Sequence, residues 1–213
     1  MKTVLNFRKA EKTEVKLCTE MAKRSFWDYR YFSVFCDNEQ EKESFLSALF
    51  SAWLNSSQRR GSLYLIEEEG APAAMAVLDS PHDKRPGRLD MLLSGWWRLY
   101  LSCGFSKVRR FFKMSERGDA PCHNLPDPKY YLALFAVDSK LQGRGIGRRV
   151  LNECIFPYIA DNGGGLLTLN TNTEPNRLFY KRNGFEEFFS ETINENGKAI
   201  GCWSYKINIP VSI

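Results

Sequence analysis

YYLALFAVDSKLQGRGIGRRVL, from Tyr130 to Leu151, is the stretch whose reading decides the fold. An apolar run from Tyr131 to Val137 stops at Asp138. Gly143-Arg144-Gly145-Ile146-Gly147 follows, and then a helical pattern begins. The order is strand, glycine-rich turn, helix N-terminus. Glycine has no Cβ, so such a turn exposes backbone N–H groups and lets an anion come close. The helix dipole adds attraction for phosphate. The segment is therefore expected to bind a phosphorylated cofactor.

Spacing decides between kinds of phosphate site. A P-loop needs Gly-Lys and then Ser or Thr at the helix start. Here Gly143 is followed by Arg144, and Gly147 by Arg148. A dinucleotide fingerprint needs G-x-G-x-x-G. Counting from Gly143 reaches Arg148, and counting from Gly145 reaches Val150, so the third glycine is missing either way.

The pattern that fits is Q-x-x-G-x-G, carried by Gln142, Gly145 and Gly147, with basic residues at Arg144, Arg148 and Arg149. Here the chain resembles the GNAT superfamily of N-acetyltransferases, whose loop amides hold the pyrophosphate of acetyl-coenzyme A. Ser139 stands where that family often has proline. A second match lies downstream. Gly165 to Asn170 reads as the next strand. Asn176-Arg177-Leu178-Phe179-Tyr180-Lys181-Arg182-Asn183-Gly184-Phe185 then resembles the family's N-x-x-F-Y-x-x-x-G-F signature. Glu187–Ile193 and Cys202–Ile207 read as a closing hairpin, with Asn196-Gly197 its strongest turn signal. The detailed likeness covers residues 130–207 and is looser before them.

The resemblance implies an α/β (α+β) GNAT fold: a mixed central sheet of about six to seven strands, flanked by helices and splayed at the cofactor site. It implies one acetyltransferase domain over residues 1–213, with residues 80–128 as a helical and loop insertion near the acceptor site. The implied cofactor contacts are Phe135, Ala136, Val137, Gln142, Gly143, Arg144, Gly145, Ile146, Gly147, Arg148, Asn176, Phe179 and Tyr180. Acetyl-CoA is the implied acyl donor, with no metal. The Val137 N–H is placed beside the thioester oxygen, where it stabilises developing charge. Tyr180 is the implied general acid for the leaving sulfur, since a phenol with a reference pKa of about 10 can donate to a thiolate. Packing among Phe179 and Phe185 is its alternative role.

The general base is not legible. Tyr130–Val137 and Gly165–Asn170 hold no carboxylate. Asp28 and Glu174 are the candidates elsewhere. A water chain, or an amine arriving neutral, would remove the need for one. Asn170, Asn172 and Asn176 form a polar run that suits loops and caps.

The rest of the chain sets bounds. Its 213 residues suit one domain with an insertion, and its charged fraction of 26% is ordinary for a globular protein. No apolar run approaches the ~20 residues of a membrane helix. The opening MKTVLNFRKAEKTEVK has no apolar signal region. Six scattered cysteines form no C-x-x-C pair and read as reduced thiols, so a cytoplasmic location is expected. His82 and His123 lack metal-ligand spacing. Net charge is +5, with the basic excess gathered in residues 81–118. That excess reads as a solvated helical face or as a site for an acidic partner, and no nucleic-acid motif accompanies it.

Periodicity predicts a strand at Val4–Lys9 and a helix at Thr13–Phe26 with Thr13 as N-cap. It predicts a helix at Gln40–Asn55 and strands at Ser62–Glu67 and Ala71–Leu78. Ser80–Arg88 reads as loop, and Leu89–Tyr100 and Ser106–Met114 as helices. Trp96 and Trp97 read as core or as acceptor-pocket wall. The leading functional expectation is an acetyl-CoA-dependent N-acetyltransferase of a small amine, as monomer or homodimer. A protein or peptide acceptor and a non-catalytic acyl-CoA-binding module are the alternatives.

Overall fold

A computed structural model describes residues 3–83, 86–126 and 128–212. Lys84 and Arg85, part of the expected Ser80–Arg88 loop and of the basic excess, lie outside the described residues, as do Met1, Lys2, Asp127 and Ile213. Seven strands form one sheet in the order β1-β2-β3-β4-β5-β7-β6. They are β1 (Leu5–Lys9), β2 (Leu63–Glu68), β3 (Ala71–Asp79), β4 (Lys129–Val137), β5 (Gly165–Thr171), β6 (Glu186–Glu195) and β7 (Lys198–Ile209). Only β4 and β5 pair in parallel, so the sheet is mixed as expected.

Helices cover both faces. On one lie α1 (Val15–Ser25), α2 (Arg30–Ser33), α3 (Glu39–Arg60), α4 (Arg88–Leu93), α5 (Trp96–Cys103) and α6 (Phe105–His123). On the other lie α7 (Ile146–Val150), which runs through a π turn at Leu151–Ile155 into α8 (Phe156–Asp161), and then α9 (Glu174–Arg182). The sheet is apolar on both sides because both are covered. Leu63, Leu65, Met75 and Val77 face the first core, while Tyr64, Ile66, Ala74 and Ala76 face the second.

Three expectations need correction. Thr13 does not cap α1. A 3₁₀ turn at Lys12–Glu14 precedes that helix, and the Glu14 carboxylate accepts the Glu11 N–H at 2.8 Å. The expected single helix Leu89–Tyr100 is two, because Gly95 turns the chain at φ 87° between α4 and α5. Finally, α6 runs nine residues beyond the expected end at Met114, to His123. Its apolar stripe continues through Met114, Gly118 and Cys122 under a charged outer face. A Cβ at Gly118 would meet Asn170 Nδ2 at 2.8 Å and Cys202 Sγ at 3.2 Å, so glycine lets α6 lie close on β5 and β7.

Elsewhere the chain chemistry is plain. Asn38 caps α3 by accepting the Glu41 N–H at 2.8 Å, and Gly61 ends that helix at φ 74°. The β6–β7 turn places Asn196 at φ 51° and Gly197 at φ 70°, as an Asn-Gly hairpin turn requires.

Two features of β4 prepare the site. Its register against β3 shifts between Val77 and Leu78, whose partners are Leu134 and Leu132. The resulting bulge at Ala133 switches the facing: Tyr130 and Leu132 enter one core, and Leu134 and Ala136 the other. The parallel pairing with β5 stops after Tyr131↔Thr168, although β5 stays on β7 to Thr171 and β4 stays on β3 to Val137. The two central strands therefore part. Tyr29 braces the mouth of the gap: its hydroxyl receives the Asn172 N–H at 2.9 Å and lies 3.2 Å from Thr171 Oγ1.

Candidate active site

A groove of about 670 Å³ runs from the strand gap across the glycine turn to α9. The Asp138 N–H bonds to the Ala73 carbonyl at 2.9 Å. Alternation along an antiparallel strand then turns the peptide groups of Val137 and Phe135 away from β3 and toward the gap. The Val137 carbonyl is already used, accepting from Ser25 Oγ at 2.9 Å and Gln142 Nε2 at 3.2 Å. Gln142 thereby ties the turn to the end of β4.

Gly143 and Gly145 both stand at φ 78°, and a Cβ at either would meet nothing within 4 Å. The turn is thus a shallow cradle of bare backbone. The first intrahelical bond of α7 joins the Arg149 N–H to the Gly145 carbonyl at 3.1 Å. The amides of Ile146, Gly147 and Arg148 consequently point out of the helix end. A Cβ at Gly147 would press on the Phe179 ring at 3.3 Å, so this glycine lets α7 meet α9. A cradle of free amides beside a long groove fits a nucleotide diphosphate with an extended arm.

Of the expected cofactor contacts, Phe135, Ala136, Val137, Gln142, Gly143, Gly145, Ile146, Gly147, Arg148, Asn176, Phe179 and Tyr180 line this groove. Arg144 does not; its charge acts on Glu68 instead. Arg149 is also committed elsewhere, to Glu68 and Glu153. Ser25, Tyr29, Thr173 and Arg182 line the groove without having been singled out in the sequence.

Tyr180 is buried on α9, its ring 5.4 Å from Phe185 and 5.9 Å from Tyr205. Burial, with Tyr29 nearby, raises its pKa, so the phenol keeps its proton at neutral pH. The helix is fastened to the last hairpin through Glu187. That carboxylate takes Arg177 at 2.7 Å, Lys181 at 3.0 Å and the Tyr205 hydroxyl. Chiefly because of the Arg177 guanidinium, with help from Tyr205 and Lys181, the pKa of Glu187 falls to about 2. A depressed carboxylate pKa contributes stability that is full above the unfolded value, about 4.3, and is lost as pH falls through the folded one. Glu187→Gln is expected to lower the thermal midpoint at neutral pH and to flatten its fall between roughly pH 5 and 2. Melting curves across that range test this; parallel curves for the two proteins would remove Glu187 as the fastener.

The groove adjoins a smaller chamber of about 100 Å³. Phe26, Tyr29, Phe135, Asn176 and Tyr180 line both spaces. The chamber's far wall holds Tyr31, Trp53, Phe111, Ser115, Asp119 and Tyr131. Asp119 accepts the Tyr131 hydroxyl at 2.7 Å and Asn170 Nδ2 at 3.3 Å. Its pKa is raised by burial, against these bonds and the charge of His123.

The carboxylates singled out in the sequence are elsewhere. The Asp28 side chain is 95% exposed, and Glu174 is an outward ion-pair partner of Arg177 at 3.1 Å. Neither lines the groove or the chamber. Trp96 and Trp97 do not line the chamber either: Trp96 packs on Phe112 at 5.4 Å and Trp97 is half exposed. Trp53, on the helix expected at Gln40–Asn55, is the tryptophan in the wall. Asp119 went unread because its helix was ended too early. The signal was present, since Phe111, Ser115 and Asp119 recur at four-residue spacing on one stripe.

Comparison with known proteins agrees with this geometry. A family model described as the acetyltransferase (GNAT) domain matches residues 114–187, from within α6 to the start of β6. The chain is 28% identical over 153 residues to an uncharacterised N-acetyltransferase of Schizosaccharomyces pombe, a span of 70% of this chain and 60% of that relative. It superposes on the C-terminal condensation domain of Ebony in complex with beta-alanyl-dopamine, with a TM-score of 0.71 at 9% identity, covering 98% of this chain and 100% of the other. A Drosophila melanogaster polyamine N-acetyltransferase gives a TM-score of 0.61 at 14% identity, covering 96% and 100%. At such identities these likenesses speak of fold. Residues 114–187 are thus similar to the GNAT acetyltransferase domain, and the chain as a whole shares the fold of these solved structures.

Proposed function

We propose that the protein is an acetyl-CoA-dependent N-acetyltransferase of a small amine, working by direct attack in a ternary complex. The observation that carries this reading is the meeting of groove and chamber at Phe135 and Tyr180, in the gap between β4 and β5. One partner lies in each space and their reacting atoms meet at the opening, which supplies proximity and orientation.

In this reading the amides of Ile146, Gly147 and Arg148, with the Arg148 guanidinium, hold the diphosphate. Phe135 offers its gap-facing peptide groups to the pantetheine arm as a neighbouring strand would. The amine nitrogen attacks the thioester carbon, and the Val137 N–H receives the charge that builds on oxygen. As the C–S bond breaks, Tyr180 gives its proton to the departing thiolate. The amine's surplus proton leaves to water, so Tyr180 is restored from solvent.

A chamber of only about 100 Å³, walled by α6, favours a small acceptor over a peptide, which needs a longer groove. Free, scattered cysteines and the lack of any described helix long and apolar enough to cross a membrane are compatible with a cytoplasmic enzyme. Calorimetry with acetyl-CoA and free CoA, against NAD and ATP, tests the cofactor. Selective binding of the CoA species supports the reading, and an amine panel assayed for CoA release then tests transfer. Tight acetyl-CoA binding without turnover on any amine would favour a non-catalytic acyl-CoA module.

A further inference from the structure

The outer side of α4 and α5 is apolar where water would favour polar groups. α4 turns its one acid inward: Asp90 accepts from Ser56 Oγ and pairs with Arg59 at 3.1 Å, both on α3. Its three leucines, Leu89, Leu92 and Leu93, share one stripe at three- and four-residue spacing and are exposed. α5 buries Leu99 and leaves Trp97 and Leu101, one turn apart, on the outside. Phe105, at the start of α6, sets its ring 5.7 Å from Tyr100 of α5 and is itself 69% exposed. Of eleven exposed large apolar side chains among the described residues, six stand between Leu89 and Phe105. Single exposed apolar residues need no explanation, but a gathering of them does.

The same segment is basic. From Arg88 to Lys113 there are six Lys or Arg and one acid, the inward Asp90. Lys107 and Arg110 pair with Glu41 and Glu195. Arg88, Arg98, Arg109 and Lys113 stay exposed. Arg98 lies over the Trp97 ring at 5.2 Å, and Arg109 and Lys113 continue the stripe that Phe105 begins. Leucine, tryptophan and phenylalanine beside arginine and lysine are the composition of an element that lies at the boundary of lipid headgroups and acyl chains. A second copy of the chain fits less well, since its arginines would meet these arginines around the apolar contact.

We propose that this face docks on an anionic lipid surface. The leucines, Trp97 and Phe105 enter the edge of the acyl layer, while Arg88, Arg98, Arg109 and Lys113 pair with lipid phosphates and carboxylates. No described helix is long and apolar enough to cross a membrane, so the contact is peripheral. The inference stands apart from the acetyltransferase reading, because none of these residues lines the groove or the chamber.

Co-sedimentation of the whole protein with vesicles tests it, using phosphatidylcholine alone and phosphatidylcholine mixed with phosphatidylserine. Binding to the anionic vesicles is expected to be at least about tenfold stronger, as when several Lys or Arg meet an anionic leaflet. It should fall several-fold between about 0.1 M and about 0.5 M salt, as screening shortens the reach of charge. Trp97→Ser with Leu101→Ser should weaken binding at least about tenfold without changing net charge, because affinity scales with the apolar area inserted. Arg98→Gln with Arg109→Gln should remove most of the preference for anionic lipid. All four side chains are exposed, so both double variants are expected to fold, as circular dichroism would show. Absent binding to anionic vesicles, or equal binding to both kinds, would overturn the proposal. So would undiminished binding by both double variants, which would put the contact on another face. A dimer in sedimentation velocity that Trp97→Ser with Leu101→Ser turns into a monomer would give this face to a second copy instead.

Discussion

Gly145→Glu should raise the Kd for acetyl-CoA at least about a hundredfold, a loss of ~2.7 kcal/mol. Two costs combine. Gly145 sits at φ 78°, where any residue with a Cβ is strained by roughly 1–2 kcal/mol. The new carboxylate would also face the diphosphate, and like charges about 4 Å apart repel by ~1–4 kcal/mol between bulk water and a protein surface. Because a Cβ here meets nothing within 4 Å, the substitution has room and the fold is expected to survive, as circular dichroism would show. Gly145→Ala should show only the strain, and so a much smaller loss. Calorimetry on the three proteins ranks them. Unchanged affinity in Gly145→Glu would move the phosphate site away from this turn.

Tyr180→Phe should lower kcat by about a hundredfold or more, the usual worth of a positioned general acid. The substitution removes one oxygen and keeps the ring among Phe179, Phe185 and Tyr205. Acetyl-CoA affinity should persist, because the groove's phosphate end is untouched. Burial holds the phenol protonated, so Tyr180 should add no alkaline limb to the rate profile near neutral pH. Single-turnover kinetics isolates the chemical step from product release. An unchanged single-turnover rate would leave Tyr180 a packing residue and the thiolate to be protonated by water.

The two halves of the site differ in how much the sequence revealed. The cofactor half is local: the strand ending at Val137, the Gln142–Gly147 turn and the Asn176–Phe185 helix each carry their own spacing. Most of the residues named there consequently line the groove. Arg144 and Arg149 show the limit of this reading, since a run of arginines does not tell which one faces inward. The acceptor half is tertiary. Its wall comes from α6, where Gly118 and Pro121 look like breakers and the intervening charges look like solvated surface. Only the close packing of Gly118 on β5 and β7 turns Asp119 toward the chamber. The bulge at Ala133 was hidden for a similar reason. It depends on the register of β4 against β3, and no residue type announces it.

The parting of β4 from β5 also bears on solubility. An unpaired stretch of strand is a template that recruits other chains, and proteins usually shield such edges with charge, proline or a covering element. This sheet carries two unpaired edges in its middle. Phe26 and Tyr29 stand over them, and aromatic side chains line much of the space beyond. A neighbouring polypeptide strand, with side chains on both faces, would have to displace these rings to pair here, whereas a slim unbranched arm would not. On the acetyltransferase reading, the opening proposed to take the donor would double as a filter against self-association. Widening it, as Tyr29→Ala would, exposes an adhesive edge as well as weakening the site.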